Sequence, residues 1–149
     1  MKNKIIGLLA AVIVVLVIGY LYTRDGRVKQ VHIGGQTVKV RLASTQEELK
    51  KGLAGTKHLD WDQGMLFLFP VASQYQFWMK DMVIPLDIVW IRGTTITQIT
   101  ADVPAPKDLL HQDNLPLYAS SELVDTVLEL PAGFAERYHV KVGDTVKYN

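Results

Sequence analysis

From Ile5 to Tyr22 the chain is apolar without a single charged residue. At about 1.5 Å per helical residue this run spans roughly 27 Å, close to the ~30 Å hydrocarbon thickness of a bilayer. It is apolar on every side and leaves no solvent face, which argues against a buried helix of an ordinary core. The pattern therefore predicts one transmembrane helix over residues 5–22, with Tyr20 and Tyr22 at its interfacial end and Arg24 closing it. Tyr20-Leu21-Tyr22-Thr23-Arg24 stands where a cleavable signal would carry small residues, so the segment reads as an uncleaved anchor. Residues 1–27 form anchor and linker in this division, and residues 28–149 one domain.

Beyond the linker the period changes to that of strands. Val28 to Ile33 and Gln36 to Leu42 are β-type runs around Gly34-Gly35, a pair suited to the positive φ angles of a hairpin. Ser44-Thr45-Gln46-Glu47 fits a capping box that opens a short helix through Lys51, and Gly52 is its natural stop. Met65 to Phe69, Phe77 to Lys80 and Leu86 to Ile91 follow as strands. Thr95 to Thr100 follows Gly93-Thr94, although Ile96 and Ile99 do not fit one face of a regular strand. Ala101 to Pro116 holds Pro104, Pro106 and Pro116 without periodicity and reads as a loop, a candidate lid. Leu123 to Leu130 predicts another strand, Pro131 to Tyr138 a short helix, and Thr145 to Tyr148 a closing strand. Together these elements predict an α+β, mostly β fold: a compact antiparallel or barrel-like sheet with two short helices behind one N-terminal transmembrane helix.

The densest stretch, Gly64 to Arg92, also carries the polar residues that most need an explanation. Alternation puts Leu86, Ile88 and Trp90 on one face and Asp87 with Val89 and Ile91 on the other. A carboxylate among apolar neighbours loses hydration and needs a cation or hydrogen-bond donors. Lys80, an arginine or an indole N–H are the expected partners of Asp87. In the later strand Thr126, Leu128 and Leu130 share one face, leaving Glu129 beside Val127 on the other. Either carboxyl is accounted for by a structural ion pair; together they also make a candidate acid/base pair, because two carboxyls in different environments can take opposite roles.

Composition narrows the choices. With no cysteine there is neither a disulfide framework nor thiol chemistry. The net charge is +1, and the chain without Lys2 and Lys4 is near neutral, so the basic footprint of nucleic-acid binding is missing. The four histidines are scattered, and His58 beside Asp60 and Asp62 lacks a second ligand pair at metal-binding spacing, so neither a metal nor a cofactor is expected. Lys2 and Lys4 favour a cytoplasmic N-terminus and a domain outside the cytoplasm, a bias that Arg24, Arg27 and Lys29 weaken.

Gly52-Leu53, Gly64-Met65-Leu66-Phe67-Leu68-Phe69, Phe77-Trp78-Met79-Lys80, Ile84-Pro85-Leu86-Asp87-Ile88 and Val127-Leu128-Glu129-Leu130-Pro131-Ala132-Gly133, with Gly143-Asp144, carry a resemblance over nearly the whole chain from Val28 onward. In these the chain resembles family number 192 of the domains of unknown function. The resemblance implies a compact β-rich domain of bacteria and archaea, often behind a signal or membrane segment, with no established activity. The chain departs from the family pattern at Ala54 and Thr56, where methionine and arginine are usual, and at Asp81 and Met82, where asparagine and threonine are common.

Two functions from different classes follow. The first is a binding or accessory module for an envelope ligand, whether glycan, peptide or small molecule. Trp78, Tyr75 and Trp61 supply its flat apolar surfaces, and Lys80, Gln74 and Asp87 its polar anchors. The alternative is a hydrolase with Asp87 and Glu129 as acid and base, which requires both carboxyls to face one cleft. At least one of the three tryptophans is expected in the core.

Overall fold

Gly34 and Gly35 both take positive φ, and the chain doubles back there with Ile33 opposite Gln36. Strands β1 (Val28–Ile33) and β2 (Gln36–Ala43) thus form the predicted hairpin. The computed structural model describes residues 28–149. The span predicted over residues 5–22 lies outside the described residues, and among the described residues no helix is long and apolar enough to cross a membrane.

Helix α1 (Gln46–Lys51) starts one residue later than its predicted cap. Thr45, not Ser44, is the N-cap: its hydroxyl accepts the Glu48 N–H at 3.2 Å, and the Glu48 carboxylate accepts the Thr45 N–H at 3.1 Å. The tandem Ser44-Thr45 and Glu47-Glu48 fit the box in two registers, and the extended backbone of Thr45 selects the second. Gly52 ends the helix as expected, at φ 52° and ψ −134°, a conformation open mainly to glycine.

The remaining elements are β3 (Gln63–Ser73), β4 (Gln76–Trp78), β5 (Leu86–Arg92), β6 (Thr95–Val103), β7 (Leu117–Ala119), β8 (Val124–Pro131), helix α2 (Phe134–Arg137) and β9 (Lys147–Tyr148). Seven strands form one sheet in the order β6-β5-β8-β3-β2-β1-β9. Its pairs are antiparallel except β2 with β3, which α1 joins as a crossover. The sheet curls into a half-barrel, and at one end its edges meet: Thr95 bridges Thr145, and the Val146 N–H donates to the Thr94 carbonyl at 2.8 Å. The predicted β-rich class with two short helices is observed, with one parallel pair that strand patterns alone do not reveal.

Side chains divide between two apolar faces. The inner face collects Val31, Ile33, Val38, Val40, Val89, Ile91, Leu128 and Leu130 and is plugged by Phe134 of α2. The outer face collects Met65, Phe67, Ile88, Trp90 and Val127. A bulge explains the awkward spacing of Ile96 and Ile99. Ile91 pairs with Ile96 while Trp90 pairs with Gln98, so the extra residue at Thr97 switches parity and brings both isoleucines to the inner face.

Strands β4 and β7 form a separate two-stranded flap over the outer face. Its anchor is Phe77, whose ring meets Phe67 at 4.9 Å and Trp90 at 5.5 Å, both edge to face. The loop before β7 is tied down where Gln112 bonds both the backbone N–H and the carboxylate of Asp81. It borders a hollow of about 260 Å³ with Met79 and Tyr118, on a different set of residues from the site below.

Candidate functional site

Between the end of α1 and the flap lies a cavity of about 220 Å³ over the outer face of the sheet. Phe67 and Phe69 of β3, Tyr75, Phe77 and Trp78 give it aromatic walls, and Glu129 of β8 reaches it from the central strands. The volume is below the ~300–1,000 Å³ of pockets for drug-sized ligands, so it suits a small molecule or one end of a larger one.

Glu129 is the chemically unusual member. Its Cα stands opposite Met65 of β3 and Ile88 of β5, so the side chain projects from the middle of the sheet. The residue is 6% exposed, and its Oε2 is fully buried with no hydrogen-bond partner among the described residues. Burial pushes the carboxyl up to about 8 from an ordinary 4.5, with the charge of Arg41 acting in the opposite direction. At neutral pH the floor of the cavity therefore holds a predominantly uncharged carboxylic acid, able both to donate and to accept. Gly52 lies directly against this group: a Cβ there would make ordinary van der Waals contact with the Phe67 ring at 3.4 Å and Glu129 Oε2 at 3.9 Å, so the backbone at φ 52°, not lack of room, calls for glycine.

The cavity draws in part of the set singled out from the sequence. Trp78 and Lys80 both border it, the ammonium lying 5.4 Å from the centre of the indole ring. Tyr75 borders it with its ring stacked 3.7 Å from that of Phe69, and its hydroxyl is committed to the Val71 carbonyl at 2.6 Å. Gln74 stands apart from the cavity and donates to the Ser121 carbonyl. Trp61 packs elsewhere, under the Arg137 guanidinium and against Tyr138, while Trp90 is the core tryptophan.

Asp87 requires a correction. It is fully buried, but neither Lys80, an arginine nor an indole is its partner. Its Oδ1 accepts the N–H groups of Asp102 at 2.9 Å and Gly133 at 3.1 Å, and its Oδ2 that of Ala135 at 2.8 Å. The carboxylate thus binds the end of β6 and the first turn of α2 to β5. It holds the fold and does not border the cavity. The acid/base pair with Glu129 falls with it: Asp87 stands opposite Leu130 and Ile88 opposite Glu129, so the two carboxyls project from opposite faces of the sheet.

Sequence reasoning missed Lys50 and Lys51, which border the cavity from the end of α1, together with Phe69 and Gly52. The capping box and the glycine stop fixed where α1 ends, but only the crossover geometry lays that end over Glu129. Among the described residues no group of three His, Asp or Glu side chains converges to hold a metal. His58 with Asp60 and His111 with Asp108 are exposed local pairs, each at 2.7 Å.

A family model covers residues 29–148: that of the uncharacterized ACR proteins, number 192 of the domains of unknown function. The chain belongs to this family. Two solved structures share the fold. One is a putative transcription regulator from Sinorhizobium meliloti 1021, 30% identical, with 81% of this chain and 93% of that one covered at a TM-score of 0.72. The other is a protein of unknown function from Novosphingobium aromaticivorans DSM 12444, 29% identical, with 80% and 82% covered at a TM-score of 0.69. No curated protein matches the chain. The stretches that carry the family resemblance serve two purposes here: Trp78 and Lys80 border the cavity, whereas Asp87 ties strands and helix together.

Proposed function

We propose that the domain is a membrane-tethered binding module that takes a small molecule, or one end of a larger envelope ligand, into the cavity between α1 and the flap. The observation that carries this is the buried Glu129 carboxyl at the floor of an aromatic-walled cavity, its Oε2 without a hydrogen-bond partner among the described residues. A buried polar group without a partner costs roughly 1–3 kcal/mol, a cost that a bound ligand relieves. Residues 5–22 hold the domain to the membrane, with the domain outside the cytoplasm. Val28 pairs with Arg41 close to the end of β2 from which α1 departs, so the start of β1 and the α1 side of the cavity lie at the same end of the sheet. Nucleic acid is not the ligand, since a net charge of +1 provides no basic footprint.

The test is a fragment screen on the full chain in phosphatidylcholine nanodiscs, read by backbone NMR and including neutral, cationic and anionic compounds. Hits should shift the Gly52, Phe77 and Glu129 amides, and Trp78→Ala should weaken them about tenfold, in line with the ~1.4 kcal/mol that one aromatic contact contributes. A screen without a hit at these amides removes the binding role. Protease protection of the domain in intact spheroplasts would refute the external orientation.

A further inference from the structure

Charged groups are distributed unevenly around the cavity. Lys50 and Lys51 border it from α1 and Lys80 from the residues after β4, and among the described residues the one acid bordering it is Glu129. None of the three ammonium groups forms an ion pair with a described residue; the Lys39 ammonium, by contrast, is bound to Asp62 at 3.0 Å. Lys50 and Lys51 partly offset the negative end of a helix dipole, as basic residues in a last turn commonly do. Lys80 has no such duty. It lies over the Trp78 ring, so that one wall offers a flat apolar surface and a cation together. At the floor the uncharged Glu129 carboxyl does not repel an anion, and its unpartnered Oε2 offers an unused hydrogen bond.

Resting on the binding role proposed above, we infer that the ligand is a small organic anion, its charged group against Lys50, Lys51 and Lys80, its apolar body along Trp78 and Phe69, and a hydroxyl turned inward to Glu129. The apolar walls exclude a bare inorganic anion as the best occupant, because they would stay wet and unfilled. The lysines disfavour a cation through like-charge repulsion at the mouth.

Three near-isosteric probes separate charge from shape: 4-hydroxyphenylacetate (anion), tyrosol (neutral) and tyramine (cation). Titrated into the full chain in phosphatidylcholine nanodiscs and read at the Lys51 and Gly52 amides, the anion should bind at least tenfold tighter than the cation, with the neutral compound between them. Replacing Lys50, Lys51 and Lys80 together by methionine, which keeps an unbranched apolar stem, should abolish that tenfold preference, bringing the Kd values of the anion and the cation within about twofold of each other. Phenylacetate, which lacks the hydroxyl, should bind at least threefold more weakly than 4-hydroxyphenylacetate, and Glu129→Leu should erase that difference. Equal or reversed charge preference, or silence from all four probes, overturns the inference. Neutral or cationic fragments binding at the same amides would leave the binding role intact while overturning the anion; no fragment of any kind at these amides would remove both.

Discussion

Two buried carboxyls lie on neighbouring strands of one sheet and have opposite surroundings. Asp87 on the inner face accepts three backbone N–H groups, and Oε2 of Glu129 on the outer face has no donor among the described residues. Both residues are at most 6% exposed, so burial does not distinguish them. The difference is satisfaction. A carboxylate whose acceptor sites are filled by backbone donors is part of the scaffold, whereas one that is buried beside an open cavity with a free oxygen is available to a ligand.

The largest effect expected from this contrast comes from Asp87→Ala. It strands three N–H groups that have no water to turn to, and hydrogen bonds to a charged acceptor are worth ~1.5–3 kcal/mol each, so the loss of stability should be roughly 4 kcal/mol or more. Urea unfolding of the full chain in nanodiscs reads this as a lower midpoint at unchanged slope. Asp87→Asn should recover only part, since an amide keeps one acceptor oxygen. A loss below about 1 kcal/mol would mean that the three N–H groups find other partners and that the two carboxyls differ less than their surroundings indicate.

Next in size is the pH dependence contributed by Glu129. Its folded-state value, up at about 8 against 4.5 for the free side chain, means that between these limits the folded chain holds a proton that the unfolded chain releases. This contribution to stability is complete below about pH 4.5, declines as pH rises, and is lost above about pH 8. Between about pH 4.5 and pH 7 the expected fall is on the order of 3 kcal/mol. Because other carboxyls also titrate, the measurement is the difference between the native chain and Glu129→Gln across this window. A flat difference would show that Glu129 finds compensation on ionising.

Glu129→Leu should act in the reverse sense to Asp87→Ala. Removing an unpartnered buried carboxyl and filling its place with apolar atoms should stabilise the chain by about 1–2 kcal/mol at pH 7, even as the hydroxyl contribution to binding disappears. Stability lost and binding kept would recast Glu129 as a scaffold residue like Asp87.

How far this contrast was legible in the sequence depends on which kind of information each part needs. Alternation correctly set Asp87 with Val89 and Ile91, and Glu129 with Val127, because within one strand the period fixes the face. It left open how β5 and β8 align, and their register alone places the carboxyls on opposite faces. The partners of Asp87 were invisible for another reason: they are backbone N–H groups, and no side-chain pattern encodes them. Strand β7 was missed because Leu117–Ala119 is too short to show alternation and follows Pro116; it exists through its pairing with β4. Trp78, Lys80, Tyr75 and Glu129 stood out as polar or exposed-type residues in an apolar stretch, whereas Lys50 and Lys51 looked like the ordinary basic end of a helix. Only the parallel crossover from β2 to β3 brings that end over the outer face.

The smallest expected effect concerns the charge nearest to Glu129 in the sheet. Arg41 of β2 stands opposite Met65, which in turn stands opposite Glu129, so the three side chains share the outer face across adjacent strands. Its guanidinium opposes the effect of burial without forming an ion pair with the carboxyl. Arg41→Met keeps the aliphatic stem and removes the charge. The Glu129 carboxyl should then titrate higher still, followed by the pH dependence of its 13C carboxyl signal, while the Asp87 knot on the opposite face stays unchanged. If the Glu129 titration instead moved down, solvent entering the cavity rather than Arg41 would be what limits its rise, and the floor of the cavity would be wetter than its enclosed oxygen indicates.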